Sequence, residues 1–154
     1  MTNSHTAAFL LTHGARGISF SLESSLQDCS AIKRCFQERY AVDAPFFYTV
    51  YGRAELMLSE YCPINSVICN HTDRNCGLCR QGAQYALLDV KQNRYPILCD
   101  ESCRTHILHY EVRNHIDSIP EAKQHGIQHF LCTFTMEGEA DCHRIITACM
   151  KQGV

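Results

Sequence analysis

The spacing of apolar residues changes period several times along the chain, and each change marks an element. Residues Thr6 to His13 carry helical spacing, with Gly14 placed as a C-terminal stop. Gly17 to Leu22 alternates apolar and polar positions, which predicts a short strand. Ser24 or Ser25 can cap the helix that follows. Leu26, Cys29, Ile32, Cys35 and Phe36 line one face of it as far as about Tyr40. Phe46 to Tyr51 is aromatic and β-branched, hence a strand that Leu56 to Leu58 extend or follow. Helix, strand, helix, strand in this order predicts a parallel sheet with helices packed on it.

The rhythm stops at Ser59. Residues Cys62 to Arg80 show no periodicity and are rich in Pro, Asn, Asp and Gly. Tyr85 to Val90 and Tyr95 to Cys99 then read as two strands joined by a polar KQNR turn. Asp100 to His109 reads as a turn entering a short helix. The earlier rhythm returns with a helix over Ile116 to His125, Pro120 near its start and Gly126 at its stop. A strand over Ile127 to Phe134 and a helix over Glu139 to Lys151 complete it. The expected organisation is an α/β portion over 1–58, a cysteine-rich insertion over 59–115 and a final helix–strand–helix unit over 116–154. In α/β sheets and barrels, sites gather at the carboxyl ends of strands, and the insertion follows one.

Composition alters this picture at one point only. With 45% hydrophobic and 19% charged residues and a net charge of −2, the 154-residue chain is an ordinary globular one. That balance gives no global reason to bind nucleic acid. No apolar run approaches the ~18 residues of a membrane span, and no charged-then-apolar leader opens the chain. A cytoplasmic protein is expected. The anomaly is cysteine, with eleven residues. An odd count in a chain expected to meet a reducing cytosol argues against a disulfide scaffold. Cys62, Cys69, Cys76, Cys79, Cys99 and Cys103 crowd one stretch, as metal ligands do. Cys29, Cys35, Cys132, Cys142 and Cys149 fall on apolar faces and are expected in the core, since a free thiol packs as a small hydrophobe.

A metal needs several thiolates converging on one point. Cys76-Gly-Leu-Cys79 supplies two neighbouring sulfurs on a tight turn that Gly77 permits. Cys62 and Cys103 flank it, and the expected hairpin could return Cys103 to the turn. Cys69 and Cys99 are alternative ligands, although Cys99 ends an apolar strand and reads more readily as core. Four thiolates suit zinc or an iron–sulfur cluster equally, and His71 or His106 would make a mixed zinc site. Elsewhere the chain has nine histidines but no paired zinc-protease motif, no nucleophile elbow and no phosphate loop. Arg53, directly after a strand, reads as a substrate clamp for a carboxylate or phosphate, or as half of a salt bridge with Glu55 or Glu60. Asp100, Glu101 and Arg104 read as groups supporting Cys103 or as solvated charges.

Several segments taken together resemble the collagenase-like peptidase family U32. They are YGRAELMLSEYCPINS (Tyr51 to Ser66), NCGLCR (Asn75 to Arg80), YALLDVKQNRYPILCD (Tyr85 to Asp100) and SCRTHI (Ser102 to Ile107), with HGARGISFSLESSL (His13 to Leu26) upstream. The resemblance implies the later portion of a TIM-like (β/α) barrel with a cysteine-rich insertion. It implies an iron–sulfur cluster, of the 4Fe-4S type, on Cys62, Cys76, Cys79 and Cys103. It further implies a role in hydroxylation of RNA or of a small aromatic substrate, although the family is named for proteolysis. Only the later part of the domain is matched, so a fragment, or a partner chain that completes the barrel, is expected. A non-catalytic zinc-stapled module is the alternative. The CTFTMEGE stretch after Leu131 departs from the family, where an arginine is usual, which weakens transfer of substrate-binding residues.

Overall fold

A computed structural model describes residues 1–69, 77–80 and 85–154, apart from the side chains of Cys69 and Arg80. Helix α1 spans Ser4–Thr12. It starts earlier than the apolar spacing suggests, because the Asn3 side chain accepts the Thr6 N–H at 2.8 Å. Strand β1 is only Ile18–Ser19. Helix α2, Leu26–Tyr40, opens on a capping box in which Ser25 and Asp28 satisfy each other's backbone N–H groups. Strand β2 is Phe46–Gly52.

The next segment forms an antiparallel sheet. Strand β3, Glu55–Ser59, exposes Leu56, Met57 and Leu58. A π-helical turn, Asn65–Cys69, and a 3-10 turn, Leu78–Arg80, precede strand β4, Tyr85–Leu88. Strand β5 is Arg94–Cys99, and the β4–β5 turn falls on the polar stretch as expected. There the Asp89 carboxylate accepts the Lys91 and Asn93 N–H groups at 2.7 and 2.9 Å. Strand β6, Thr105–Leu108, lies where the sequence pattern suggested the start of a helix. Pairing overrides that local preference: β6 sits between β3 and β5 and is hydrogen-bonded to both.

Strand β7 is Arg113–Asn114. A 3-10 turn, Ile116–Ser118, leads into helix α3, Ile119–Gln124, with Pro120 in its first turn. Strand β8 is His129–Cys132 and helix α4 is Glu139–Lys151. Strand β2 pairs in parallel with β1 and with β8, and antiparallel with β7. The fold is therefore α/β with parallel strand pairs, as the pattern predicted.

The chain divides into two compact units. One is Met1–Gly52 with Arg113–Val154; the other is Arg53–Val112. The sequence pattern placed the corresponding boundaries at 58/59 and 115/116. Residues 53–58 go with the second unit because β3 pairs with β6.

The core of the first unit gathers Ala7, Ile18, Phe20, Leu26, Cys29, Phe36, Phe46 and Ile127. Phe46 sits between Phe20 and Phe36, with ring centroids 5.4 and 5.3 Å away. Cys29 is fully buried there, and burial, helped by the Asp28 charge, pushes its thiol up to about 11. Cys149 is also buried, whereas Cys35, Cys132 and Cys142 are half-buried.

Gly52 ends β2 at φ +142°, and a side chain there would put Cβ 2.8 Å from the Thr133 carbonyl oxygen. Gly52→Ala therefore destabilises by more than about 1 kcal/mol, measured by denaturant unfolding. Between β8 and α4, Glu137 accepts the Thr135 and Met136 N–H groups at 2.7 and 3.0 Å and the Tyr51 hydroxyl at 3.1 Å. Burial works to raise its pKa, but these donors outweigh it and hold the carboxyl below the ordinary glutamate range. Its stabilisation is present above the unfolded value of about 4.3 and is lost as pH falls through the lower folded value. Glu137→Gln is expected to be less stable than the wild type at neutral pH, with the two unfolding curves converging on acidification.

Candidate metal centre

The register of the antiparallel sheet decides which cysteines meet. Ser59 pairs with Thr105, and Thr105 pairs with Cys99. These three residues form one row across β3, β6 and β5, and Thr105 is fully buried in it. Cys62 lies three residues beyond Ser59. Cys103 lies two residues before Thr105, in the loop joining β5 to β6. Cys79 sits in the 3-10 turn ahead of β4.

The thiol of Cys99 lies within electrostatic reach of those of both Cys62 and Cys79. Burial pushes Cys99 up to about 12, and the neighbouring Cys62 and Cys79 sulfurs push in the same direction. The Asn65 N–H points at the Cys62 sulfur, 3.5 Å away. A backbone donor aimed at sulfur is the contact that stabilises a thiolate and tunes a sulfur-ligated centre. Buried Ile64 anchors the same turn. Gly77, at φ +69°, adopts the left-handed turn expected of it ahead of Cys79.

Cys103 is itself left-handed, at φ +59°. For a residue with a Cβ that conformation is strained and needs support from its surroundings. Asp100 provides it. Its Oδ1 accepts the Ser102 and Arg104 N–H groups, both at 2.9 Å, and its Oδ2 accepts Arg104 Nε at 2.7 Å. The Cys103 N–H donates to the Asp100 carbonyl at 3.0 Å. The Arg104 backbone N–H, joined by the Arg104 guanidinium and opposed by burial, lowers the Asp100 pKa to about 2. Asp100 and Arg104 thus shape the loop that carries Cys103.

His106 spends its ring on carboxylates, with Nδ1 2.9 Å from Glu55 Oε2 and Nε2 3.5 Å from Asp100 Oδ2. The Glu55 bond, supported by Asp100, raises its pKa against the effect of burial. A ring so engaged has no free nitrogen to offer another partner. Arg53 donates from Nη1 to the His109 carbonyl at 3.0 Å and to the Tyr110 carbonyl. These bonds tie the start of β3 to the end of β6.

Among the described residues, no group of three or more His, Cys, Asp or Glu side chains is disposed to hold a metal ion. Cys62, Cys79 and Cys99 do not by themselves form a chelating set. Cys76, His71 and the side chain of Cys69 lie outside the described residues. The donors that do meet are all sulfur and suit a soft or borderline metal. Sequence reasoning kept Cys99 as a substitute ligand but favoured the core for it. The signal that could have found it is the strand at Thr105–Leu108, because only that pairing sets Cys99 at the end of the sheet beside Cys62.

The first unit carries a separate open groove of about 420 Å³ at the carboxyl end of β1. Tyr48, Arg113, His115 and Glu121 line it together with the first residues of α2. Arg113 also donates to the Leu22 carbonyl at its edge.

Comparison with known proteins gives one result. The profile of Peptidase family U32 matches residues 1–151. No curated protein and no solved structure matches the chain at the significance required. A match over nearly the whole sequence means that the chain belongs to Peptidase family U32.

The Asp100 loop yields a direct test. Asp100→Ala removes the oxygen that accepts both the Ser102 and Arg104 N–H groups and is expected to lower the unfolding midpoint more than Asp100→Asn, which keeps one oxygen for them. Thermal unfolding of the two variants beside the wild type reads the difference.

Proposed function

We propose that this member of Peptidase family U32 is an iron–sulfur protein, with a 4Fe-4S cluster held at the end of the β3–β6–β5 sheet. The observation that carries the reading is the strand row Ser59, Thr105 and Cys99, which sets Cys99 within electrostatic reach of Cys62 and Cys79. Cys62, Cys76, Cys79 and Cys103 are the proposed ligands, with Cys99 as their neighbour and Cys69 or Cys99 as a substitute. When bound, such a cluster supplies one-electron redox chemistry. The chain's part is to gather the thiolates, aim the Asn65 N–H at one sulfur and hold Cys103 in its strained turn through Asp100.

The reading extends to hydroxylation of RNA or a small aromatic substrate. The order β1, β2, β8 with a helix after β1 and after β8 supports an arc of a (β/α) barrel. In this reading a partner chain completes the barrel. The groove at the carboxyl end of β1 offers Arg113 and Tyr48 to a substrate, in the position where α/β folds recognise theirs. Proteolysis, the activity in the family's name, needs an activated nucleophile or a metal with an open position. His106, the histidine nearest in sequence to Cys103, has one ring nitrogen on Glu55 and the other toward Asp100, which leaves neither directed at a thiol.

Anaerobic purification tests the cofactor. The protein is expected to be brown, with broad absorption near ~400 nm and with iron and acid-labile sulfide present together. Cys62→Ala and Cys79→Ala lose the absorption, while Cys29→Ala, changed in the other unit's core, keeps it. A colourless protein holding stoichiometric zinc would establish the zinc-stapled module instead. Full iron content in both the Cys62 and Cys79 variants would refute the ligand set.

A further inference from the structure

We propose that Cys132 and Cys149 are an oxidative modification site, forming a reversible disulfide that staples α4 to β8 when the protein meets a hydroperoxide. The two sulfurs lie 3.7 Å apart, in contact across the space between the strand and the helix. A disulfide requires them to approach by about 1.7 Å more. Both residues belong to the first compact unit, so the pair is not part of the cysteine set between Cys62 and Cys103.

The location gives the bond a consequence. Cys132 is the last residue of β8 and pairs with Tyr51 beyond a register shift in β2. Helix α4 has two buried residues, Ile145 and Cys149, one turn apart on a single face. One of these two buried positions makes the contact that the disulfide would make covalent. The residues are 17 apart in sequence, so the link closes a loop long enough to restrain the unfolded chain as well. Cys142, also on α4, is turned elsewhere, with its thiol directed at the Glu137 carbonyl.

The chemistry balances with one equivalent of peroxide. Cys132, the more exposed of the two, takes an oxygen from the hydroperoxide through its thiolate. Burial and Cys149 raise its pKa to about 12, so the thiolate is a minor form and the step is slow. The S–O bond forms, the O–O bond breaks, and water or an alcohol leaves. The Cys149 sulfur then attacks the sulfenic sulfur. The S–S bond forms, the S–O bond breaks, and hydroxide departs with the Cys149 proton as water. The two thiols together lose two electrons, which the peroxide gains. A small dithiol reverses the step by exchange.

Peptide mapping of the full chain decides the matter. Trypsin cuts after Lys123, Arg144 and Lys151, so Cys132 and Cys149 fall on separate peptides, Gln124–Arg144 and Ile145–Lys151. After hydrogen peroxide and alkylation of the remaining thiols, the two peptides are expected as one species, lighter than their reduced sum by two hydrogens. Fragmentation should place the link at Cys132, and dithiothreitol should release both peptides. Amides of α4 should exchange more slowly in the oxidised protein than in the reduced one. Recovery of both peptides separately alkylated at Cys132 and Cys149, or a link from Cys149 to Cys142, overturns the proposal. Cys142→Ser should retain the link and Cys132→Ser should leave Cys149 open to alkylation. Should Cys132→Ser fail to fold, the wild-type map still decides.

Discussion

The pairing of β6 with β3 on one side and β5 on the other is the constraint on which the candidate centre depends. Two antiparallel ladders fix Ser59, Thr105 and Cys99 in a single row. Once that row is set, the segments leaving it have little choice of direction. Cys62 follows from one strand, Cys103 precedes the next, and the thiol of Cys99 stands among those of its neighbours. Side chains in a ladder alternate faces with period two, so a slip of one residue in either pairing would turn Cys99 to the other face.

The loop carrying Cys103 shows how such a row is kept in place. Its backbone adopts a conformation that residues with a Cβ avoid, and it does so beside a carboxylate with both oxygens committed. His106 and Glu55 extend the same polar network onto β6 and β3. The network uses charge to position backbone.

The other unit is organised by burial. Strand β2 carries parallel neighbours at two edges, and Phe46 fills the space between Phe20 and Phe36. Helix α4 is attached differently, through Ile145 and Cys149 and through the loop that Glu137 ties to Tyr51. One contact in that attachment is between two sulfurs, so the packing of the helix and the redox state of the chain become connected.

The elements with strong local signals were readable in advance. Helix α2 announces itself by its cap and apolar face, α4 by its apolar spacing, and the β4–β5 hairpin by its polar turn. The crowding of cysteines was also plain from the sequence, as was the core position of Cys29. Other features depended on pairing between distant segments. Thr105–Leu108 has no local signal strong enough to declare a strand, and it becomes one because two other strands bond to it. Cys99 looked like the end of an apolar strand and joined the thiols only through that bonding. Arg53 looked like a clamp, and the structure shows it donating to the carbonyls of His109 and Tyr110, far along the chain. Sequence by itself determined the α/β class and the stretch in which a metal would be sought, because caps, periods and cysteine spacing are local. Tertiary structure decided which thiols meet, because that depends on the register between strands more than forty residues apart.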